Sequence, residues 1–244
     1  MAATLIASTV TKAPHNTNVF VPSAGFTLEP NDVLVFTVCY YYGLARVITS
    51  LQTMDAELFR AYGAATDVMA FTGVRIVTTP GTEPGTYGFE STSSGEWVAV
   101  AHQYRGVNTD TITGGSTPVP ITYSEGLNDG NPPAKGLTTT QPNQLVVTSR
   151  HVCNGSDAIT AASGPPGTFT TAGFGVEQGG GDSAIAEAAY LIVPGSSTVV
   201  TPGDWTGVPD STSEYVTMSF ALDSTATDGG GWNAGIGVAG QVLE

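Results

Sequence analysis

The chain has 244 residues, 41% of them hydrophobic, and its 7 Lys+Arg against 21 Asp+Glu give a net charge of −14. A balance this acidic repels nucleic-acid phosphates and anionic membrane surfaces, and the cations Lys12, Arg46, Arg60, Arg75, Arg105, Lys135 and Arg150 are scattered, which excludes a nucleic-acid-binding stripe. No run approaches the 18 apolar residues of a membrane span, the N-terminus "MAATLIASTVTKAP" has no basic n-region, and two cysteines are too few for a disulfide framework, so folding in a cytoplasm is expected.

Short apolar runs bounded by turn residues then follow one another. The pattern predicts strands over Thr17–Pro22 and, after the turn "EPND", Val33–Tyr41. "MDAELFRAYGAA", Met54 to Ala65, is the best helical candidate, because Leu51, Leu58 and Tyr62 fall near one helical face; it reads equally as a loop entering a strand. Further strands are expected over Val68–Val77, Glu96–Tyr104, Leu145–Val152, Phe169–Val176, Ala184–Ile192 and Tyr215–Ala221, separated by "TPGTEPGT", "SSGE", "QPNQ", "GPPGT", "VPGSS" and "TPGD". "SAIAEAAYLIV" is rich in helix-forming Ala, yet it alternates and ends at Pro-Gly, which favours a strand with Ile185, Glu187, Ala189, Leu191 and Val193 on one side.

An internal repeat organises these runs. "EPNDVLVFTVC" resembles "QPNQLVVTSRHVC", and "SGEWVAVAHQY" resembles "TSEYVTMSFAL". Pro142 follows Pro30 by 112 residues and Glu214 follows Glu96 by 118, with a turn-rich boundary from Gly114 to Gly136. Half of such a chain has too few strands to bury both faces of a sheet, so two sheets packed as one unit are expected. The predicted architecture is an all-β, jelly-roll-like β-sandwich over 19–224, with halves 19–113 and 137–224. An N-terminal extension, 1–18, precedes it, and a Gly-rich C-terminal arm, 225–244, follows it.

The densest chemistry lies in "GEWVAVAHQYRGV". As a strand it places Trp97, Ala99, Ala101 and Gln103 on one face and Glu96, Val98, Val100, His102 and Tyr104 on the other, so no nucleophile, acid and base share a side. His102 also aligns with Phe220 of the sister strand, which points to packing. His151 and Cys153 share a face and Cys39 matches them in the repeat, but a structural zinc site wants four ligands with a close cysteine pair; whether Cys39 and Cys153 form a disulfide stays open. Glu125, Asn128, Asp129 and Asn131 lack calcium-loop spacing. Glu96 and Glu214 are repeat equivalents, and shared structure explains them more simply than a glycosidase pair. No phosphate-loop, dinucleotide or hydrolase motif appears. The chain therefore reads as no enzyme, with no cofactor and no metal. The remaining candidates are contact residues: Tyr40, Tyr41 and Tyr42 at a strand end, as a protein interface or a glycan platform, and Trp232 as an anchor of the arm.

The order "FVP…GFTLEPNDVLVFTV", "GTEPGTYGFESTSSGEWVAVAHQYRGV" and "GLTTTQPNQLVVTS", spread over Val19 to Ala221, resembles a family of β-sandwich proteins of tailed bacteriophages. In that family a "GD-LLV" strand opens the domain, a "W..A..AYRGV" strand follows, and a "T..PN.LVV" strand opens the second half. Here Asn31-Asp32 stands for Gly-Asp and "AHQYRGV" for "AYRGV", while "LQTMDAELFRAY" occupies the place of the usual "P-x-G-W". The resemblance implies a virion structural protein without catalytic residues, assembled in the host cytoplasm. The expected role is capsid decoration, with the major capsid protein and further copies of itself as partners. A tail or fibre accessory that binds a host glycan is the alternative, and an envelope hydrolase comes last.

Overall fold

The computed structural model describes residues 2–41, 48–62, 68–113, 121–127, 135–154, 169–179, 182–202, 205 and 214–225. Six strands come from the first half: β1 (Thr4–Pro22), β2 (Val33–Tyr41), β3 (Thr49–Ser50), β4 (Ala56–Tyr62), β5 (Val68–Ile76) and β6 (Thr86–Arg105). A four-residue helix, α1 (Asp110–Thr113), follows. The second half supplies β7 (Ile121–Leu127), β8 (Leu137–Thr138), β9 (Gln144–Asn154), β10 (Thr170–Gly179), β11 (Asp182–Val193), β12 (Val199–Val200) and β13 (Glu214–Leu222).

The molecule is an all-β sandwich of antiparallel sheets. One sheet has the order β1-β6-β2-β5-β4 with β3 on β6, and the other runs β7-β13-β9-β11-β10. The two orders correspond strand for strand: β2 matches β9, β6 matches β13 and β5 matches β11. The strands up to β6 lie in the first sheet, β7, β9, β10, β11 and β13 in the second, and β8 pairs with β12 as a separate two-stranded sheet. The two Pro-Asn turns also match. Asn31 (φ 69°) and Asn143 (φ 58°) both adopt the left-handed conformation just before β2 and β9, a region that asparagine tolerates better than most residues.

Strand alternation decides the core. Val33, Val35, Tyr104, Leu145, Val147 and Phe220 meet between the sheets at one end, and Cys39, Ala70, Val98, Cys153, Ala186 and Val216 at the other. The opposite face of the first sheet is also buried. There Leu34, Phe36, Val38 and Tyr40 pack with Phe71, Trp97 and Ile48. This second core exists because β1 and β6 are long and bent. Their pairing breaks register between Ala13, Asn16 and Asn18, and beyond the break Tyr87 and Phe89 pack against the outer side of β2. The Phe36 ring centroid lies 4.9 Å from Tyr87 and 5.5 Å from Phe89. Burial on both faces explains why β2 reads as an almost unbroken apolar run, and each large side chain so buried contributes roughly 1.5–3 kcal/mol.

The side of the sandwich where β10 meets β1 and β6 is built from small residues. A Cβ on Gly175 would fall 2.5 Å from Val10 Cγ1 and 2.6 Å from Val98 Cγ1, and one on Gly173 would fall 2.4 Å from Val100 Cγ1. Their β11 partners in register are Ala186 and Ala188. The glycine-rich "GFGVEQ" therefore serves close approach of two sheets.

Two expectations are corrected. Residues 1–18 are not an extension, because β1 starts at Thr4 and pairs from Thr4↔Arg105 to Ala13↔Trp97 as the sheet's edge strand. Its polar residues and Pro14 hid it, since an edge strand has only one side to bury. The helical candidate Met54–Ala65 holds β4, paired with β5. Tertiary pairing overrides its helix propensity.

Candidate functional site

The signature residues of the opening motif build a clasp at one end of the sandwich. Asp32 is fully buried just before β2, and Arg105 leaves β6 beside it. Arg105 Nε and Nη2 donate to the two Asp32 oxygens at 2.8 and 2.9 Å, while Gln103 Nε2 and the Glu29 amide also donate to Asp32 Oδ2. Burial works to raise the Asp32 pKa, but the Arg105 guanidinium, the Glu29 amide and Gln103 together hold it below its ordinary value. Gly106 turns the chain away at φ 83°. The second half repeats the device with other chemistry: Gln144 Nε2 donates to Asp223 Oδ1 at 2.6 Å, and the Thr140 amide donates to Gln144 Oε1 at 2.7 Å. Ser224 Oγ donates to the Asn143 carbonyl, and the Thr225 amide donates to the Gly106 carbonyl at 2.7 Å, so the two clasps are tied together.

Several polar residues of the central strands are turned inward. His102 and His151 are both fully buried. His102 Nδ1 shares a 2.9 Å hydrogen bond with the Tyr104 hydroxyl, and His151 Nδ1 donates to the Val216 carbonyl at 3.4 Å. Burial lowers the His102 pKa to about 3 and the His151 pKa to about 4, so both are neutral imidazoles. The predicted division of β6 holds: Trp97, Ala99 and Ala101 join the outer core, while Val98, Val100 and Tyr104 join the clusters between the sheets. On the outer side of the second sheet Arg150 and Glu187 form a buried ion pair, Nη2 to Oε2 2.9 Å, beneath Trp205, whose ring centroid is 5.2 Å from the guanidinium carbon. Burial raises Glu187 to about 7 against the pull of Arg150, and lowers Arg150 against the pull of Glu187.

At the end opposite the clasps lie the residues singled out for chemistry or contact. Glu96 and Glu214 are each 2% exposed. Glu96 Oε1 is 2.9 Å from His15 Nδ1, where β1 bends, and Glu214 Oε2 accepts the Val68 amide at 2.8 Å, bracing one sheet against the other. Tyr40 is withdrawn from the surface: it is fully buried, its ring lies 4.2 Å from that of Trp97, and its hydroxyl donates to the Ser93 carbonyl at 2.7 Å. It cannot contribute to an interface or a glycan platform, because β2 is buried on both faces. Tyr41 is half-buried; Tyr42 and Trp232 lie outside the described residues. Cys39 and Cys153 are both buried and form no disulfide, and Cys39 Sγ donates to the Val152 carbonyl at 3.7 Å across the sheets. Among the described residues, no three of His, Cys, Asp and Glu gather as a metal site.

The exposed chemistry lies on the bent part of β1 and β6. Phe20 and Leu51 are 44% and 45% exposed. A Cβ on Gly88 would fall 2.6 Å from Leu51 Cδ1 and 2.9 Å from Phe20 Cε1, so the two side chains lean together over that glycine. Beside them a depression of about 310 Å³ is lined by Thr49, Glu90, Ser91 and Thr92. Sequence reading missed this face; its one available signal was the alternation Val19-in, Phe20-out, Val21-in.

Comparison of the chain with family models, curated proteins and solved structures returned no match.

Proposed function

We propose that the protein is a structural component of a bacteriophage virion, of the capsid-decoration type, which binds the outer shell and stabilises it by bridging neighbouring subunits. One observation carries the reading. The motif that resembles phage β-sandwich proteins, Asp32 with Gln103 and Arg105, is spent on a buried clasp that holds two strands together. In the same stretch His102 and Glu96 are likewise buried and engaged, His102 with Tyr104 and Glu96 with His15. A scaffold of this kind presents a surface poor in charge and rich in Thr, Ser, Gly and Ala, which loses little side-chain entropy on contact. Many copies on a lattice then add weak contacts by multivalency. Residues 225–244 extend that contact to neighbouring subunits in this reading.

The test is the position and copy number of the chain in purified particles, by electron cryomicroscopy and quantitative mass spectrometry. Copy number matching the capsid lattice supports decoration. A few copies at the tail would replace it with the accessory reading, and absence from the particle would overturn both. Loss of occupancy on deletion of residues 226–244, with the domain still folded, is the result expected for the arm.

A further inference from the structure

The bent hairpin forms a three-stranded patch in which β3, β6 and β1 lie side by side. Thr49 pairs with Glu90 and Asn18 pairs with Glu90 from the other side, making one row across the patch. Phe20 pairs with Gly88, and the Leu51 amide donates to the Gly88 carbonyl at 2.9 Å, making a second row two residues along β6. Residues two apart on a strand share a face. Both rows therefore look outward, while Val19, Val21 and Phe89 between them are buried in the core beneath.

The outer face is thus divided in two. Leu51, Gly88 and Phe20 form a flat apolar strip, flat because Gly88 has no side chain to lift it. Thr49, Glu90 and Asn18 form a strip of hydroxyl, carboxylate and carboxamide groups, and the depression lined by Thr49, Glu90, Ser91 and Thr92 adjoins it. The whole face is carried on paired strands over a packed core, so it is formed before any ligand arrives.

We propose that this face binds a neutral saccharide. A pyranose ring has the matching division: one apolar face of C–H groups and a rim of hydroxyls that both donate and accept. The negatively charged face of the Phe20 ring takes the C–H groups, Glu90 accepts from two vicinal hydroxyls, and Thr49 and Asn18 complete the rim. A carboxylate at the centre of the polar strip, in a chain of net charge −14, turns away sialylated, sulfated or phosphorylated glycans. The site adds a glycan contact that the capsid-binding reading does not require, and it stands or falls separately from it.

Saturation-transfer NMR on the isolated full-length chain tests the site, with maltotriose and N,N′,N″-triacetylchitotriose as neutral probes and sialyllactose as the anionic control. Saturation should reach at least one neutral trisaccharide and leave sialyllactose untouched. Phe20→Ala and the near-isosteric Glu90→Gln should each weaken binding by about tenfold or more, with unchanged melting temperature and backbone amide spectrum. Absence of transfer to both neutral sugars, or transfer that survives both substitutions, overturns the proposal. So does loss of particle attachment by Phe20→Ala without any sugar binding, which would assign the face to a protein contact.

Discussion

His102 is the position where the structure makes its sharpest quantitative claim, and His102→Phe tests it. The side chain is fully buried beside Tyr104, and its pKa falls from 6.5 to about 3 because the charged imidazolium would lose its hydration. The folded state therefore refuses a proton that the unfolded chain accepts below pH 6.5. Protons bound only by the unfolded state make stability fall as pH falls. At about 1.4 kcal/mol per pH unit below 6.5, one such histidine costs roughly 2 kcal/mol between pH 7 and pH 5. His151, lowered to about 4, adds a similar loss, while Glu187, raised to about 7, works in the opposite direction over the same window. Comparing wild type with His102→Phe cancels both. Phenylalanine is the residue at the matching position of β13, Phe220, so the site's shape class is retained. The variant leaves the Tyr104 hydroxyl without its 2.9 Å partner, which costs about 1–3 kcal/mol at every pH. The informative quantity is therefore the pH dependence. Urea unfolding at pH 7 and pH 5 should show the variant losing roughly 2 kcal/mol less than wild type on acidification. Equal losses in the two proteins would mean that His102 is protonated in the folded state, and the argument from burial would be wrong.

Other outcomes follow from the same packing. Glu187→Gln should destabilise the protein by about 3–5 kcal/mol, because the buried Arg150 loses its carboxylate; the double variant Arg150→Met/Glu187→Leu should recover most of that loss in the same unfolding assay. Asp32→Ala removes the acceptor of the Glu29 amide and leaves Gln103 with only the Thr27 carbonyl and Arg105 with that carbonyl and Glu29, and should cost roughly 1–3 kcal/mol with the loss visible as a lower denaturation midpoint. Gly175→Val should cost about 1–3 kcal/mol or more, since its Cβ alone already intrudes on Val10 and Val98. Cys39 and Cys153 should both be silent to a thiol reagent in the native protein and both react once guanidinium unfolds it; fast reaction of the native thiols would contradict their burial.

Much of the fold was legible in local pattern. β2 is bounded at Val33 and Tyr41 as its apolar run predicts, and the faces of β6 follow from simple alternation, because pleat geometry leaves a strand only two sides. The repeat between "EPND…" and "QPNQ…" is visible because the same turn, with Asn31 and Asn143 in the left-handed region, precedes the corresponding strands. β1 was legible only from Thr17 onward, and β4 resembled a helix, since both are edge strands whose residues answer to one partner and to solvent. The contact sites were the least legible. Tyr40 is a strand-end aromatic like many exposed ones, and nothing local says that Tyr87 and Phe89 fold over its face of the sheet.

The amino-acid sequence by itself determined the acidic charge balance, the alternation of each central strand and the paired Pro-Asn turns. These are properties of composition and of near neighbours. The tertiary structure alone decided which strands share a sheet, that Asp32 meets Arg105, that Gly173 and Gly175 admit Val10, Val98 and Val100, and that Phe20 and Leu51 stand exposed together over Gly88. Each of those joins residues far apart in the chain, and their meeting depends on sheet stacking and strand bending, which no short stretch of sequence encodes.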